Sequence, residues 1–380
     1  MKTAAVIKCP DYEPETVEAA LANGLTRIGG IEKYIHPGAK VLIKTNLIMK
    51  AHPDKAMTTH PAVIAAIAKA VIRAGGIALI GDSPGGPAGG SRIESIYEVS
   101  GIKWAAEHSG AQLVHDMGGR DVFFPEGIIL KKMTLTNMAL DADVIISAAK
   151  LKTHGMTTVS GAIKNLYGCV PGTLKVEYHY RMPNIIAFSN MLLDLCQYLK
   201  PVLSIIDGVV GMAGEGPTAG VPRQVGALIV ADSPYAADFA QVKLMNCDPE
   251  KICFFQRAVE RGIVEKDFSG IQLLGEDIES LIVTDFDIPT LHNTKLLNKF
   301  VPPFLRQCFE NMMDQYPVVQ KDKCRSCGEC KASCPANAIT MVDGKPSIDY
   351  SICIRCFCCQ ELCPFKAMQI KRPVLLKWMK

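Results

Sequence analysis

CRSCGECKASCP (residues 324–335) and CIRCFCCQELCP (residues 353–364) write one pattern twice. Cys324, Cys327, Cys330, Cys334 and Pro335 recur as Cys353, Cys356, Cys359, Cys363 and Pro364, a period of 353 − 324 = 29 residues. A cubane iron–sulfur cluster needs four thiolates at tetrahedral directions. Three from one tight loop wrap three corners. The fourth is out of that loop's reach without strain, and in paired motifs it comes from the other half. One [4Fe-4S] cluster is therefore expected on Cys324, Cys327, Cys330 and Cys363, and a second on Cys353, Cys356, Cys359 and Cys334. Zinc also accepts four thiolates, but it does not need eight in interlocked runs. The repeat extends onward, Ala338 matching Ala367, Ile339 matching Met368 and Met341 matching Ile370. Each half thus reads as a cluster loop, a short helix and a strand. A further cysteine, Cys358, is expected to be a small residue turned away from the cluster.

Working outward, nine of the 15 cysteines fall between Cys324 and Cys363, which marks a boundary near Tyr316-Pro317. In 380 residues there is room for two or three domains. We expect an α/β domain over 1–285, a helical connector over 286–316, a ferredoxin-like domain over 317–372 and a tail over 373–380. The chain is 48% hydrophobic, enough for a large core, and its formal charge of 41 − 38 = +3 gives no electrostatic reason to expect nucleic acid. No apolar run reaches the ~18–20 residues of a membrane span. The start turns polar too early for a signal peptide, so a cytoplasmic location is expected. In a reducing compartment cysteines point to metal or redox chemistry. From Lys321 to Lys380 eleven Lys/Arg face five Asp/Glu, an excess that two clusters of about −2 each would largely cancel.

The first 285 residues alternate short apolar runs with helical patterns, which favours a largely parallel sheet covered on both faces. The expected strands are 4–8, 41–44, 77–80, 112–115, 144–147, 202–206 and 227–230. The expected helices are 14–28, 61–74, 92–99, 102–109, 184–199, 234–245 and 249–261, with a hairpin inserted around 123–129. The fold class is thus α/β: a large, mostly parallel sheet domain plus a small α+β domain for two [4Fe-4S] clusters. In open α/β sheets ligands bind beyond the carboxyl ends of the strands. Those ends carry Lys44 and Asn46, Asp82 and Ser83, Lys150, Lys152 and His154, then Asp207, with Glu215 in a later Gly loop. Lys44, Lys150, Lys152 and Lys164 are expected to converge there with Asn165, His154 and His179, a cluster that repels itself unless an anion fills it. Thr58 and Thr59 read as the cap of a helix and His60 as a ligand-side residue. Gly214-x-Gly216 is no convincing dinucleotide fingerprint, because Pro217 and Pro222 intrude.

Lys44-Thr-Asn46, Thr58-Thr-His60-Pro61, Gly81-Asp-Ser-Pro-Gly-Gly86, Lys150-Leu-Lys-Thr-His154, Gly161-Ala-Ile-Lys-Asn165 and Asp207-Gly208 with Glu215-Gly216-Pro217 resemble, in this order, the domain-of-unknown-function family 362 over residues 3–245. Members are often fused to a ferredoxin-like module, and the segment 317–372 resembles bacterial two-cluster ferredoxins, which implies one-electron transfer. The family is also distantly similar to the amino-terminal domain of nickel-pincer lactate racemases, whose histidine-rich segment is not recognisable here. Two readings follow. In one the protein is an oxidoreductase that sends electrons to an anionic small molecule or cofactor in the cleft. Lys152 or His154 would then donate protons, Lys44, Lys150 and Lys164 clamp the anion, and Asp82 or Asp207 orient. In the other it is a non-catalytic electron-transfer or accessory protein whose large domain docks a partner or carries a ligand. A redox partner protein is implied in both, and a homodimer stays open. Anaerobically prepared protein should contain about eight iron and eight sulfide per chain; about four iron, or stoichiometric zinc, would refute the paired reading.

Overall fold

The computed structural model describes residues 1–86, 90–289 and 315–371. Its centre is a sheet ordered β11–β1–β10–β9–β7–β2–β3–β4. These strands are β1 (Lys2–Lys8), β2 (Lys40–Lys44), β3 (Ile77–Gly81), β4 (Gln112–Leu113), β7 (Val144–His154), β9 (Leu203–Ala213), β10 (Val221–Ala231) and β11 (Ile271–Gly275), with β8 (Thr158–Ser160) paired back on β7. All pairs from β9 through β7, β2, β3 and β4 are parallel, as is β1 with β11; β10 alone runs antiparallel to both its neighbours. The strand β5 (Gly119–Phe123) and β6 (Lys132–Thr136) form the separate hairpin.

Period-two alternation divides the core. Ala5, Ile7, Val41, Ile43, Ile146 and Ala148 pack on one face against α1 (Pro14–Arg27), α2 (Pro61–Arg73), α3 (Gly90–Val99) and α4 (Ile102–Ser109). Their neighbours Ala4, Val6, Leu42 and Ile145 point the other way. There, beyond the short α5 (Asn137–Leu140), α6 (Ala162–Asn165) and α7 (Gly172–Arg181), they share a core with α8 (Ile185–Leu199), α9 (Pro234–Leu244) and α10 (Cys253–Glu260). Each fully buried Leu or Ile is worth about 1.5–3 kcal/mol over exposure, which fixes strand register on both faces at once.

Several boundaries differ from the sequence reading. β7 and β9 do not stop at 147 and 206 but run on to His154 and Ala213, because partners on both sides continue to satisfy their backbone. Lys150, Lys152, His154 and Asp207 are therefore strand residues rather than loop residues. The edge strand β4 has only two residues, and the expected helix 249–261 is a turn at Pro249–Lys251 followed by α10. The cap of α2 is His60, whose Nδ1 accepts from Ala62 N at 3.3 Å; Thr59 Oγ1 instead donates to Ala148 O at 2.8 Å. The large domain extends past 285, since Phe286 is buried in its core and Asp287 O accepts from Gly214 N at 2.7 Å. Most of the expected connector (290–314) and the tail 373–380 lie outside the described residues.

In the small domain β12 (Tyr316–Val319) pairs with β15 (Met368–Lys371), and β13 (Ile339–Val342) with β14 (Lys345–Ile348). The 29-residue repeat holds at the level of backbone angles. Left-handed φ values recur at Ser326 and Arg355 (57° and 56°), Gly328 and Phe357 (79° and 61°), and Asn337 and Lys366 (52° and 52°). Ala338 N and Ala367 N donate to Cys334 Sγ and Cys363 Sγ at 3.2 and 3.3 Å, so each distal cysteine meets the same backbone donor four residues on.

One carboxylate ties the hairpin to the body. Asp194, fully buried on α8, accepts from Ile128, Ile129 and Leu130 N at 3.0, 2.7 and 2.8 Å and pairs with Arg261 at 2.5 Å. Asp194→Ala would strand three amides and a buried guanidinium. We expect it to cost about 3–5 kcal/mol in urea unfolding; a cost under about 1 kcal/mol would contradict the assignment.

Candidate functional site

The carboxyl ends of β2 and β3 lie side by side, Lys44 opposite Gly81, so the next residue, Asp82, meets the Lys44 ammonium. Nζ lies 2.7 Å from Asp82 Oδ1 and donates to Thr45 O and Asn165 Oδ1 at 2.6 and 3.2 Å. Asp82 also accepts from Leu47 N and Ser83 N at 2.7 and 2.8 Å, and Asn165 Nδ2 donates to Lys44 O and Ser147 Oγ at 2.9 and 3.1 Å. All these bonding positions are filled. A Cβ on Gly168 would collide with Lys44 Nζ and Asp82 Oδ1, so glycine is required there.

Above this floor lies a cavity of about 90 Å³. Its lining includes Lys44, Asn46, Asp82, Ser83, Lys164, Asn165 and His179 from the expected set. Lys152 and His154 do not line it, but each meets a residue that does, Asn46 and Glu361. Lys152 Nζ donates to Asn46 Oδ1 and to Met57 O. Burial, and Lys164 nearby, push the Lys152 ammonium well below the ordinary lysine range. His154 Nδ1 accepts from Met156 N and Thr157 N at 3.0 and 3.3 Å, which leaves its ring proton on Nε2, 3.0 Å from Glu361 Oε1. Burial holds His154 neutral, down to about 4. Burial opposes ionisation of Glu361, but His154 and then Lys164 outweigh it and hold the carboxyl well below its usual range.

Lys164 makes no hydrogen bond or ion pair among the described residues; its ammonium faces the rings of Tyr167 and Phe188 at 5.5 and 5.8 Å. His179 stacks on Phe188 at 4.7 Å, and its buried Nδ1 has no partner among the described residues. Sequence reasoning missed Lys175, which donates to Ser83 O and Val170 O at 2.5 Å and which burial lowers to about 7. It missed Glu361 as well. Cys358, buried, lines this cavity with Glu361 and Leu362.

Three expected residues form a different cluster. Lys150 Nζ lies 2.8 Å from Asp207 Oδ2, which also accepts from His60 N at 2.9 Å. Tyr12 OH donates to Asp207 Oδ1 at 2.9 Å, and the Tyr12 ring stacks on His60 at 3.6 Å. Lys150, Asp207 and His60 are not among the cavity's lining residues, and neither is Lys152: Ala149 and Leu151 share one core while Ala148 lies in the other, so alternation along β7 aims both lysines alike, and the register shift lies in β9, which advances from Asp207 to Met212 while β7 advances from Lys150 to Lys152. Glu215 contributes its carbonyl, which accepts from Gln360 Nε2 at 3.1 Å, at the seam with the small domain.

Two further cavities each carry four cysteines: Cys324, Cys327, Cys330 and Cys363 around one, Cys334, Cys353, Cys356 and Cys359 around the other. Among the described residues no three Cys, His, Asp or Glu side chains converge on a point as a single ion would need. The sulfurs instead ring a space, as thiolates bound to four different irons do.

A family model described as a domain of unknown function (DUF362) matches residues 41–243, and one for a 4Fe-4S dicluster domain matches 316–364. A thylakoid-associated protein of Synechocystis sp. is 34% identical over 253 residues, which is 66% of this chain and 77% of that protein. The lactate racemase apoprotein of Thermoanaerobacterium thermosaccharolyticum superposes with a TM-score of 0.39 at 16% identity, over 63% of this chain and 56% of its own. No helix among the described residues is long and apolar enough to cross a membrane.

Burial lowers His179 to about 4, against 6.5 for the free side chain. As the pH falls from about 6.5 to 4 the unfolded chain takes up a proton that the folded one refuses, so stability drops across that window. His179→Phe keeps the stacked ring and removes the titrating group. It should leave stability at pH 7 unchanged or raised and shrink the acid loss by up to about 3 kcal/mol, read from urea unfolding at pH 7 and pH 4.5. An undiminished acid loss would show that His179 does not titrate in this way.

Proposed function

Because the chain belongs to the DUF362 family of unknown function and carries a 4Fe-4S dicluster domain, we propose that it is an iron–sulfur oxidoreductase. Two [4Fe-4S] clusters, ligated crosswise as the sequence repeat requires, would pass electrons to an anionic small molecule or cofactor in the cavity. Bound clusters supply one-electron equivalents. The observation that supports catalysis over docking is one helical turn, Cys358–Glu361. It contains the cluster cysteine Cys359 and leads into Cys363, and its residues Cys358 and Glu361 line the cavity. An electron source and a ligand space are thus separated by one layer of side chains.

The chain's own residues divide the remaining work. Lys44 and Lys150 are neutralised by Asp82 and Asp207, so the anion is left to Lys164 and Lys175. Lys175, which lines that space and is lowered to about 7, is the proton donor closest to it, and His154 and Lys152, both neutral by burial, would donate only after taking up a proton. Asp82 and Asn165 hold the floor rather than reacting. The runner-up is an accessory protein that carries the same ligand without turnover.

Anaerobic purification followed by denaturation and mass spectrometry should release a stoichiometric small anion. In thermal and urea stability screens over carboxylates and phosphates, a binding anion at a hundredfold excess over its Kd should stabilise the protein by ~2.7 kcal/mol. Lys164→Met should remove about 1.5–3 kcal/mol of that response while leaving the unliganded protein as stable or more so. Identical responses in wild type and variant would end the anion-site reading, and binding without electron uptake would favour the accessory protein.

A further inference from the structure

The two cluster loops are equivalent in backbone but opposite in environment. Cys327 is exposed, whereas Cys356, its equivalent one repeat later, is 7% exposed. The second loop is turned into the large domain. Its helical turn contributes Cys358, Glu361 and Leu362 to the cavity, Gln360 Nε2 donates to Glu215 O, and Thr218 Oγ1 donates to Glu361 O at 3.0 Å. The first loop faces solvent.

Charge follows the same division. Lys321, Lys323, Arg325 and Lys331 are all exposed, and none forms an ion pair among the described residues. One repeat later the corresponding residues are Tyr350, Ile352, Ile354 and Gln360, all uncharged, and the one cation of that segment is Arg355, at the position of Ser326. Between Lys321 and Lys331 the four cations meet only two acids, Asp322 and Glu329. A folding requirement of the cluster loop would place cations at matching positions in both halves, since the backbones match, and none of the four is matched. The excess therefore answers to something that only the outward loop meets.

We propose that the basic, solvent-facing Lys321–Lys331 segment is the docking surface for an acidic one-electron carrier protein, and that electrons enter here and leave toward the cavity from the inward Cys353 loop. This rests on the electron-transfer reading above. The step is a simple exchange: the reduced carrier loses one electron and the cluster of the outward loop gains it. Opposed charges raise the encounter rate within a Debye length of about 10 Å at 0.1 M salt, so the surface acts on rate and is weakened by salt.

The test uses the full chain with its clusters and the charge reversal Lys321→Glu, Lys323→Glu, Lys331→Glu, at exposed positions outside both cysteine sets. Stopped-flow reduction by reduced flavodoxin, an acidic carrier, should slow by tenfold or more at low salt and lose its salt dependence. Reduction by photoreduced deazariboflavin, a small uncharged reductant, should be unchanged. The neutral triple variant, Lys→Gln at the same positions, should fall between the two. An unchanged flavodoxin rate, or a wild-type rate that ignores salt, overturns the docking surface while leaving the electron-transfer reading intact. Failure of both reductants to reduce the wild-type protein overturns that reading as well.

Discussion

Glu361 belongs to the small domain, yet it sits against His154 at the end of β7, an 11-residue strand of the large one. A buried carboxylate is tolerable only where donors replace lost water. His154 places Nε2 3.0 Å from Glu361 Oε1, because its other nitrogen is occupied by two backbone amides and its proton is left on the side of the carboxylate. The consequence is reciprocal. The imidazole tautomer is fixed by the Met156 turn, the carboxylate is fixed by the imidazole, and the cluster-bearing turn that carries the carboxylate is thereby registered over the cavity.

Beneath that contact the cavity floor is built from charges that cancel. Lys44 with Asp82 forms a buried ion pair whose remaining donors and acceptors are met by main chain and Asn165. Such a pair gives little net stability, since desolvation offsets attraction, but losing one partner is costly. It therefore acts as a rigid joint between two strand ends. Lys150 with Asp207 does the same on the neighbouring strands, on its own network. What stays without an ion pair or hydrogen bond among the described residues is Lys164, over aromatic rings, and this is why, of the four lysines expected from the sequence, the ligand reading keeps only this one, beside Lys175.

The dicluster domain shows how one repeated backbone can serve two environments. Its left-handed residues recur at the same places, glycine at one and phenylalanine at its equivalent. Phe357 accepts a conformation that costs a β-carbon residue about a kcal/mol or more, and its ring is buried in return. The surface around the loops then diverges freely, lysine on the outward half and apolar residues on the inward half.

Local chemistry was legible in the sequence wherever spacing alone constrains it. The eight cysteines ring two cavities in the crossed sets that the 29-residue repeat implies, and alternating apolar runs located every major strand of the sheet, missing the short strands β8 and β11. Lys44, Asn46, Asp82, Ser83, Lys164, Asn165 and His179 could be gathered because strand ends in a parallel sheet share one edge. Direction along a strand is another matter. Lys150 stays outside that group because alternation along β7 turns it to the other face, where it pairs with Asp207, and no residue type announces that face. Glu361, Cys358 and Lys175 were invisible for a different reason. Their roles arise from contacts between segments far apart in the chain, and sequence periodicity carries information about the face a residue takes, not about which domain will be packed against it.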